Sequence, residues 1–207
     1  MSKRLTRNMR FAGLLLVVSA MLTSFSHAQA PVYTITPMSS SIVFNVKSSV
    51  SITGKFDKWD STLVFTSADI SSGVLDIKIQ AASVDSGSGM KNSKLKSKDF
   101  FDVQNNPLIT FHSTKIVQTS PAVAGQPVHF EVDGDFTIRG VTKPEKLELI
   151  VSGYGTGTGE IKGTMAFDRK DYGINGSIPF IKIADRVEVI VNLEAKRMSG
   201  SAPKLNQ

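Results

Sequence analysis

The chain has 207 residues and no cysteine, and 24 Lys plus Arg against 18 Asp plus Glu give a formal charge of +6. The missing thiols exclude cysteine nucleophiles, iron–sulfur clusters and thiolate zinc sites. Four of the basic residues precede position 11 and no acidic residue lies before position 29, so the chain beyond residue 28 carries only +2 and nucleic acid is not an expected partner.

Lys3, Arg4, Arg7 and Arg10 precede an apolar run from Phe11 to Phe25 and then Ser26-His27-Ala28, with small residues at the two positions a signal peptidase inspects. This is the pattern of a secretory signal peptide over 1–28 and predicts a periplasmic product. The run falls short of the roughly 20 residues that span a bilayer as a helix, so no membrane-spanning segment is expected after cleavage. With no cysteine after the run, lipoprotein attachment is excluded. Cleavage leaves 179 residues, the size of one domain with a sizeable core, stabilised by burial and strand ladders instead of disulfides.

From Ile42 the dominant period is two: Ile42, Phe44 and Val46 share one face, and Val43, Asn45 and Lys47 the other. The pattern recurs at Leu63 and Phe65, and at Leu75, Ile77 and Ile79. A brief helical turn is expected near Ala68 to Ser71 and another from about Met90 to Lys96. Between Leu95 and Phe111 a charged segment meets the adjacent rings of Phe100 and Phe101, and after Pro107 an extended segment puts Ile109 and Phe111 on one face. Alternation returns in Phe130, Val132, Gly134 and Phe136, in Leu147, Leu149 and Val151, in Ile161, Gly163, Met165 and Phe167, and from Val187 to Ala195. Roughly eight such segments, separated by Gly, Ser, Asn or Pro clusters, predict an all-β antiparallel barrel or sandwich. Residues 29–198 form that domain, and the polar tail 199–207 is expected to be disordered.

Few residues advertise chemistry. His112 and His129 fall in different strands and form no metal-ligand pair, so no metal is expected and both read as solvent-facing. Ser86-Gly87-Ser88-Gly89 reads as a loop, and the alternating glycines 153, 155, 157 and 159 as a flexible hairpin connection instead of a phosphate cradle. The acid pairs Asp57 and Asp60, Asp99 and Asp102, Asp133 and Asp135, and Asp168 and Asp171 read as turn formers, with a glycosidase-like pair as the rival reading. Trp59 and Tyr172 could mark a rim, stack on a sugar or cap the core. Arg169 and Asp171, placed on one side by an alternating strand, read as a structural ion pair before a headgroup contact.

Five stretches in order carry a family resemblance: Ser41-Ile42-Val43-Phe44-Asn45-Val46-Lys47 with Gly54-Lys55-Phe56; Leu95 to Phe111; Gly134 to Lys143; Asp168-Arg169-Lys170-Asp171-Tyr172-Gly173-Ile174; and Ala184-Asp185-Arg186-Val187-Glu188-Val189. Together they resemble the YceI-like family over about Tyr33 to Lys196. The resemblance implies a lipocalin-like antiparallel eight-stranded β-barrel with one or two short helices, exported and binding a long isoprenoid-type lipid. The chain departs from the family's pattern at Ser48, where a histidine is usual, and at Asn92 and Lys94, where Asp and His are usual, all at the end implied to meet a headgroup.

On this reading the chain is an exported lipid-binding protein that holds a long apolar chain for carriage or sequestration, with no cofactor and no covalent step; the guest is an isoprenoid or quinone-type lipid. The expected lining is Phe44, Val46, Phe56, Phe65, Leu75 and Ile77, then Leu95, Phe100, Phe101 and Phe111, then Phe136, Ile138, Val189 and Val191. Candidates for the mouth or headgroup are Ser48, Asn92, Arg169, Asp171 and Tyr172. The alternatives are a stress-response or interaction protein whose barrel is filled by its own side chains, and a hydrolase using a converged acid pair.

Overall fold

The computed structural model describes residues 29–35, 39–49, 52–178 and 180–207, with Ser48 described by its backbone alone. The expected signal peptide lies outside these residues. The strands are β1 (Val32–Ile35), β2 (Ser41–Ser48), β3 (Ile52–Phe56), β4 (Trp59–Phe65), β5 (Gly73–Gln80), β6 (Val84–Asp85), β7 (Leu108–Gln118), β8 (Val128–Ile138), β9 (Val141–Ser152), β10 (Thr158–Asp168) and β11 (Ile183–Ser199). One helix, α1 (Gly89–Lys96), occupies the stretch expected to be helical, and the turn expected near 68–71 is a 3-10 turn at Ile70–Ser72 whose first amides Asp69 caps.

The long strand β11 closes the sheet. Along one edge it pairs with β10; along the other it pairs with β2 from Ile183 to Asn192 and with β1 from Ala195 to Ser199. Thus β1 and β2 lie end to end as one wall, and β3 and β4, separated only by Asp57 and Lys58, form the next. With β5, β7, β8, β9, β10 and β11 they make a closed antiparallel barrel of eight positions; β6 adds a two-residue strip to β3. Full closure leaves almost no free edge, so the backbone donors are satisfied around the ring.

The alternation dictates which side faces in. In β8, Val128, Phe130, Val132, Phe136 and Ile138 are buried while His129 and Asp135 are exposed. The β8–β9 turn has only two residues, Arg139 and Gly140, both with positive φ (53° and 74°), the mirror-image turn whose twist suits a hairpin. From that turn Arg139 donates a 2.9 Å hydrogen bond to the carbonyl of Lys98, tying the hairpin to the segment after α1.

Two expectations change. Arg169–Tyr172 is a 3-10 turn, not an alternating strand: Asp168 caps it by accepting from the Lys170 amide at 2.8 Å, and Gly173 ends it in the left-handed region. The turn assignment of the acid pairs fits Asp57, Asp99, Asp102, Asp168 and Asp171, but Asp60 lies in β4 and Asp133 and Asp135 in β8, where the outward half of the alternation holds them.

The segment after β11, expected to be disordered, is seen against the barrel. Gly200, with φ 76°, reverses the chain so closely beneath residues 29 and 30 that a Cβ would sit 2.5 Å from the Ala30 carbonyl oxygen. Pro203 is buried and Leu205 packs on the core.

Candidate ligand-binding site

The interior is apolar but not a single open bore. Two compartments occupy opposite ends. The near one, bounded by β2, β3, α1 and the segment from Gly173 to Ile183, has a volume of about 70 Å³ and is lined by carbon throughout. The far one, bounded by β4, β5, the β9–β10 connection and the C-terminal segment, has about 100 Å³. On that measure a single water needs roughly 10–15 Å³, so each void is more than a packing defect. Between them a waist of about 30 Å³ is lined by Ile77, Phe111, Leu147, Met165 and Val191, among others.

The alternation placed the strand residues of the expected lining inside, Leu95 joins them from α1 and Phe100 and Phe101 from the turn after it, and together they are distributed over three spaces. Phe44, Val46, Phe56, Leu95, Phe100, Phe101, Phe136, Ile138 and Val189 line the near compartment. Phe65 and Leu75 line the far one, and Ile77, Phe111 and Val191 line the waist. Phe44, Phe56 and Phe101 form a mutual aromatic cluster, with centroids 5.6–6.0 Å apart, in the roof of the near compartment. Phe44 stands over Gly54, its cross-strand partner, where a Cβ would meet the ring at 2.4 Å.

The expected lining did not include Ile52, Ile109, Phe167, Ile174, Ile178 and Ile183 of the near compartment, or Tyr33, Ile116, Phe130 and Tyr154 of the far one. For Ile109, Ile116 and Phe130 the same alternation carried the signal. For Ile174 and Ile178, in an irregular loop, no local pattern could.

The mouth of the near compartment is carried by α1. Its Lys91 and Lys94, both partly exposed, line the chamber with their hydrocarbon stems, and Leu95 turns inward. Lys94 pairs with Asp99 at 3.1 Å and lies 5.7 Å from the Phe100 ring centroid. Asn92 does not reach the chamber: it accepts from Ser86 at 2.7 and 2.8 Å and donates to Asp85 at 3.1 Å, fastening α1 to β6. The Gly87 amide and then Asn92 hold the Asp85 carboxyl below its usual range. Ser48 pairs through its backbone with Ile183, and its side chain lies outside the description.

Arg169 is buried beside the chamber and fully engaged. Its guanidinium donates to the carbonyls of Ile174 (2.6 Å), Ala184 (3.1 Å) and Gly176 (3.3 Å) and pairs with Asp185 at 3.1 Å. The ion pair expected with Asp171 is therefore made with Asp185, because the 3-10 turn points Asp171 outward to Lys143, 3.7 Å away. A hydrogen bond from Lys170 at 2.7 Å and the charges of Lys170 and Arg169 lower the Asp185 carboxyl. Tyr172 is completely buried between Phe136 and Phe167 and donates to Glu145 at 2.7 Å. Burial first, then the Glu145 hydrogen bond and charge, push its hydroxyl well above the ordinary tyrosine range. These groups brace the wall and offer little hydrogen-bonding capacity to a guest.

His112 is exposed and bonded to Asp76 at 2.7 Å; among the described residues no group of three His, Asp or Glu could hold a metal ion. No helix among them is long and apolar enough to cross a membrane.

The model of the YceI-like domain matches residues 33–195. The chain belongs to the YceI-like family. It is similar to a UPF0312 protein of Pseudomonas savastanoi pv. phaseolicola, 30% identical over 139 residues that cover 65% of this chain and 69% of that one. A UPF0312 protein of Vibrio cholerae is 30% identical over 144 residues, covering 66% and 73%. Among solved structures, BcnA of Burkholderia cenocepacia superposes with a TM-score of 0.66 at 25% identity, over 77% of this chain and 98% of that one. A polyisoprenoid-binding domain from Saccharophagus degradans gives 0.63 at 16% identity, over 81% and 99%, a likeness of fold. The YceI-like chain thus shares a closed barrel with a domain described as binding polyisoprenoid.

Proposed function

We propose that this YceI-like protein is an exported carrier or reservoir for a long apolar chain of isoprenoid type, taken up tail-first through the near compartment with no covalent step. The observation that carries the reading is a chamber lined by carbon alone whose mouth meets solvent at the Lys91 and Lys94 stems. Its physics is burial: an isoprenoid tail hiding roughly 500 Å² gains on the order of 12 kcal/mol at about 25 cal/mol per Å², before ordering and association costs. The likeness to the polyisoprenoid-binding domain supports the ligand class, and the basic, apolar amino terminus supports export to the periplasm.

The resting compartments are smaller than such a chain, so uptake requires interior side chains to repack, with Phe111, Leu147 and Met165 of the waist standing between the two compartments. Titrating the protein with a polyprenol, read by heat or by displacement of an apolar fluorophore, tests the reading. Saturable binding at about one per barrel is expected, weakened at least tenfold by Val46→Phe, which fills the near compartment. Binding that is absent, or indifferent to that substitution in a protein that melts normally, would refute it.

A further inference from the structure

The residues past the family domain do something specific at the far end. Leaving Gly200, the chain crosses the base of the barrel and is fastened to three separate connections. The Lys204 amide donates to the Ala68 carbonyl at 2.6 Å, beyond the end of β4. The Ala122 amide donates to the Asn206 carbonyl at 2.8 Å, and the Gln118 side chain donates to that same carbonyl and accepts from the Asn206 amide, both at the β7–β8 connection. Tyr154 donates its hydroxyl to the Pro203 carbonyl from the β9–β10 connection. Between these latches Pro203 and Leu205 turn into the far compartment and form part of its wall.

Leu205 is the largest apolar side chain of the tail, and it packs on the buried core, with Phe65, Leu75, Phe130 and Leu149 lining the same space. It behaves as a tethered guest. The latches are backbone or side-chain hydrogen bonds near the surface, each of modest net strength, so the segment can leave without disturbing the ring. The connection that carries Tyr154 is glycine-rich: Gly153, Gly155 and Gly157 all have positive φ (73°, 85° and 92°), and a Cβ on Gly155 or Gly157 would meet nothing within 4 Å. Tyr33, Tyr154 and Arg197 supply a polar fringe to a cavity otherwise made of carbon. Burial raises the Tyr33 hydroxyl pKa, with Tyr154 adding to the rise and Arg197 opposing it.

We propose that residues 201–207 are a displaceable plug over a second ligand compartment. When the plug leaves, the compartment takes a compact apolar molecule of one or two rings or isoprene units, bearing an oxygen that accepts from the Tyr154 hydroxyl freed by Pro203. This site is separated from the near compartment by the waist and does not depend on the isoprenoid reading.

Because the chain has no native cysteine, the plug can be locked reversibly. Ala122→Cys with Asn206→Cys places thiols at residues already joined by a backbone hydrogen bond, and mass spectrometry reports whether the disulfide forms. The probe is 6-propionyl-2-(dimethylamino)naphthalene, a two-ring fluorophore whose carbonyl oxygen can accept from Tyr154. The oxidised protein is expected to bind it at the near compartment alone, and the reduced protein to bind a second equivalent that Ala195→Phe, filling the far compartment, removes. Independently, Leu205→Ser in the otherwise unaltered chain should tighten the second event at least tenfold and raise hydrogen exchange at the Ala122 amide. A probe site lost with Ala195→Phe but kept with Val46→Phe supports the plug even if the carrier reading fails. Equal stoichiometry and affinity in oxidised and reduced protein, or no gain from Leu205→Ser, overturns it.

Discussion

Single side chains here act mostly through what they brace. Tyr172→Phe removes a hydroxyl donating to a partly exposed carboxylate, a bond to a charged partner of about 1.5–3 kcal/mol, and the solvent open to Glu145 places the loss near the lower figure. Denaturant unfolding should show that loss with an unchanged slope. The same hydroxyl fixes an alkaline response: its folded pKa lies above the ordinary tyrosine value of about 10, so the folded state holds a proton the unfolded state releases. Its contribution is complete below pH 10 and is lost as pH rises further. Absorbance at 295 nm should therefore show a tyrosine that ionises only as the barrel unfolds; titration of every tyrosine with the fold intact would contradict this. Gly176 has a different duty, since a Cβ there would lie 2.3 Å from the Phe100 ring. Gly176→Ala is expected to cost about 1–3 kcal/mol by overpacking and to drive that ring out of its place in the near compartment, which a melting curve and an apolar-probe titration read together.

At the scale of elements, α1 is the weak point because only Leu95 is buried along its eight residues. It is held largely by Asn92, Ser86 and Asp85. The Asp85 carboxyl is lowered by the Gly87 amide and by Asn92, so the folded state binds its proton less readily than the unfolded one. Its stabilisation is present above the ordinary aspartate value of about 3.9 and fades as pH falls through the folded pKa. Protection from hydrogen exchange across residues 86–96, taken relative to the intrinsic amide rate at each pH, should fall on going from pH 5 to pH 3 before the barrel melts, and Asp85→Asn should flatten that dependence. Much of this architecture was legible. The strands show because one-sided burial writes itself as period two, and α1 because a polar run between Gly89 and Lys96 holds no alternation. The Arg169–Tyr172 turn was not legible: Arg169 and Asp171 satisfy the alternation rule as well as a strand does, the cap from Asp168 is local but Asp is equally at home at a strand end, and the ion pair with Asp185 emerges only when β10 and β11 stand side by side. The tail was hidden for a similar reason, since Pro203 and Leu205 among polar residues make too short a run to show a period, and the partners of Asn206 lie more than 80 residues away at Gln118 and Ala122.

For the whole molecule, closure by β11 makes a container, and the inward alternation makes it greasy; neither property reveals how the interior is divided. The division depends on how far Phe111, Leu147 and Met165 reach across the bore, which is set by barrel diameter and strand stagger instead of by any local run of sequence. A guest stabilises the fold in proportion to its affinity and concentration, so a bound polyprenol at a hundred times its Kd should add about 2.7 kcal/mol and raise the melting temperature, an increment Val46→Phe should abolish. The most direct measurement of the central claim is mass spectrometry of an organic extract of the protein purified from its native compartment. The account predicts a long hydrocarbon-chain lipid at close to one per barrel, lost from the Val46→Phe protein. Extracts with no co-purifying lipid, or the same lipid at the same ratio from both proteins, would contradict it.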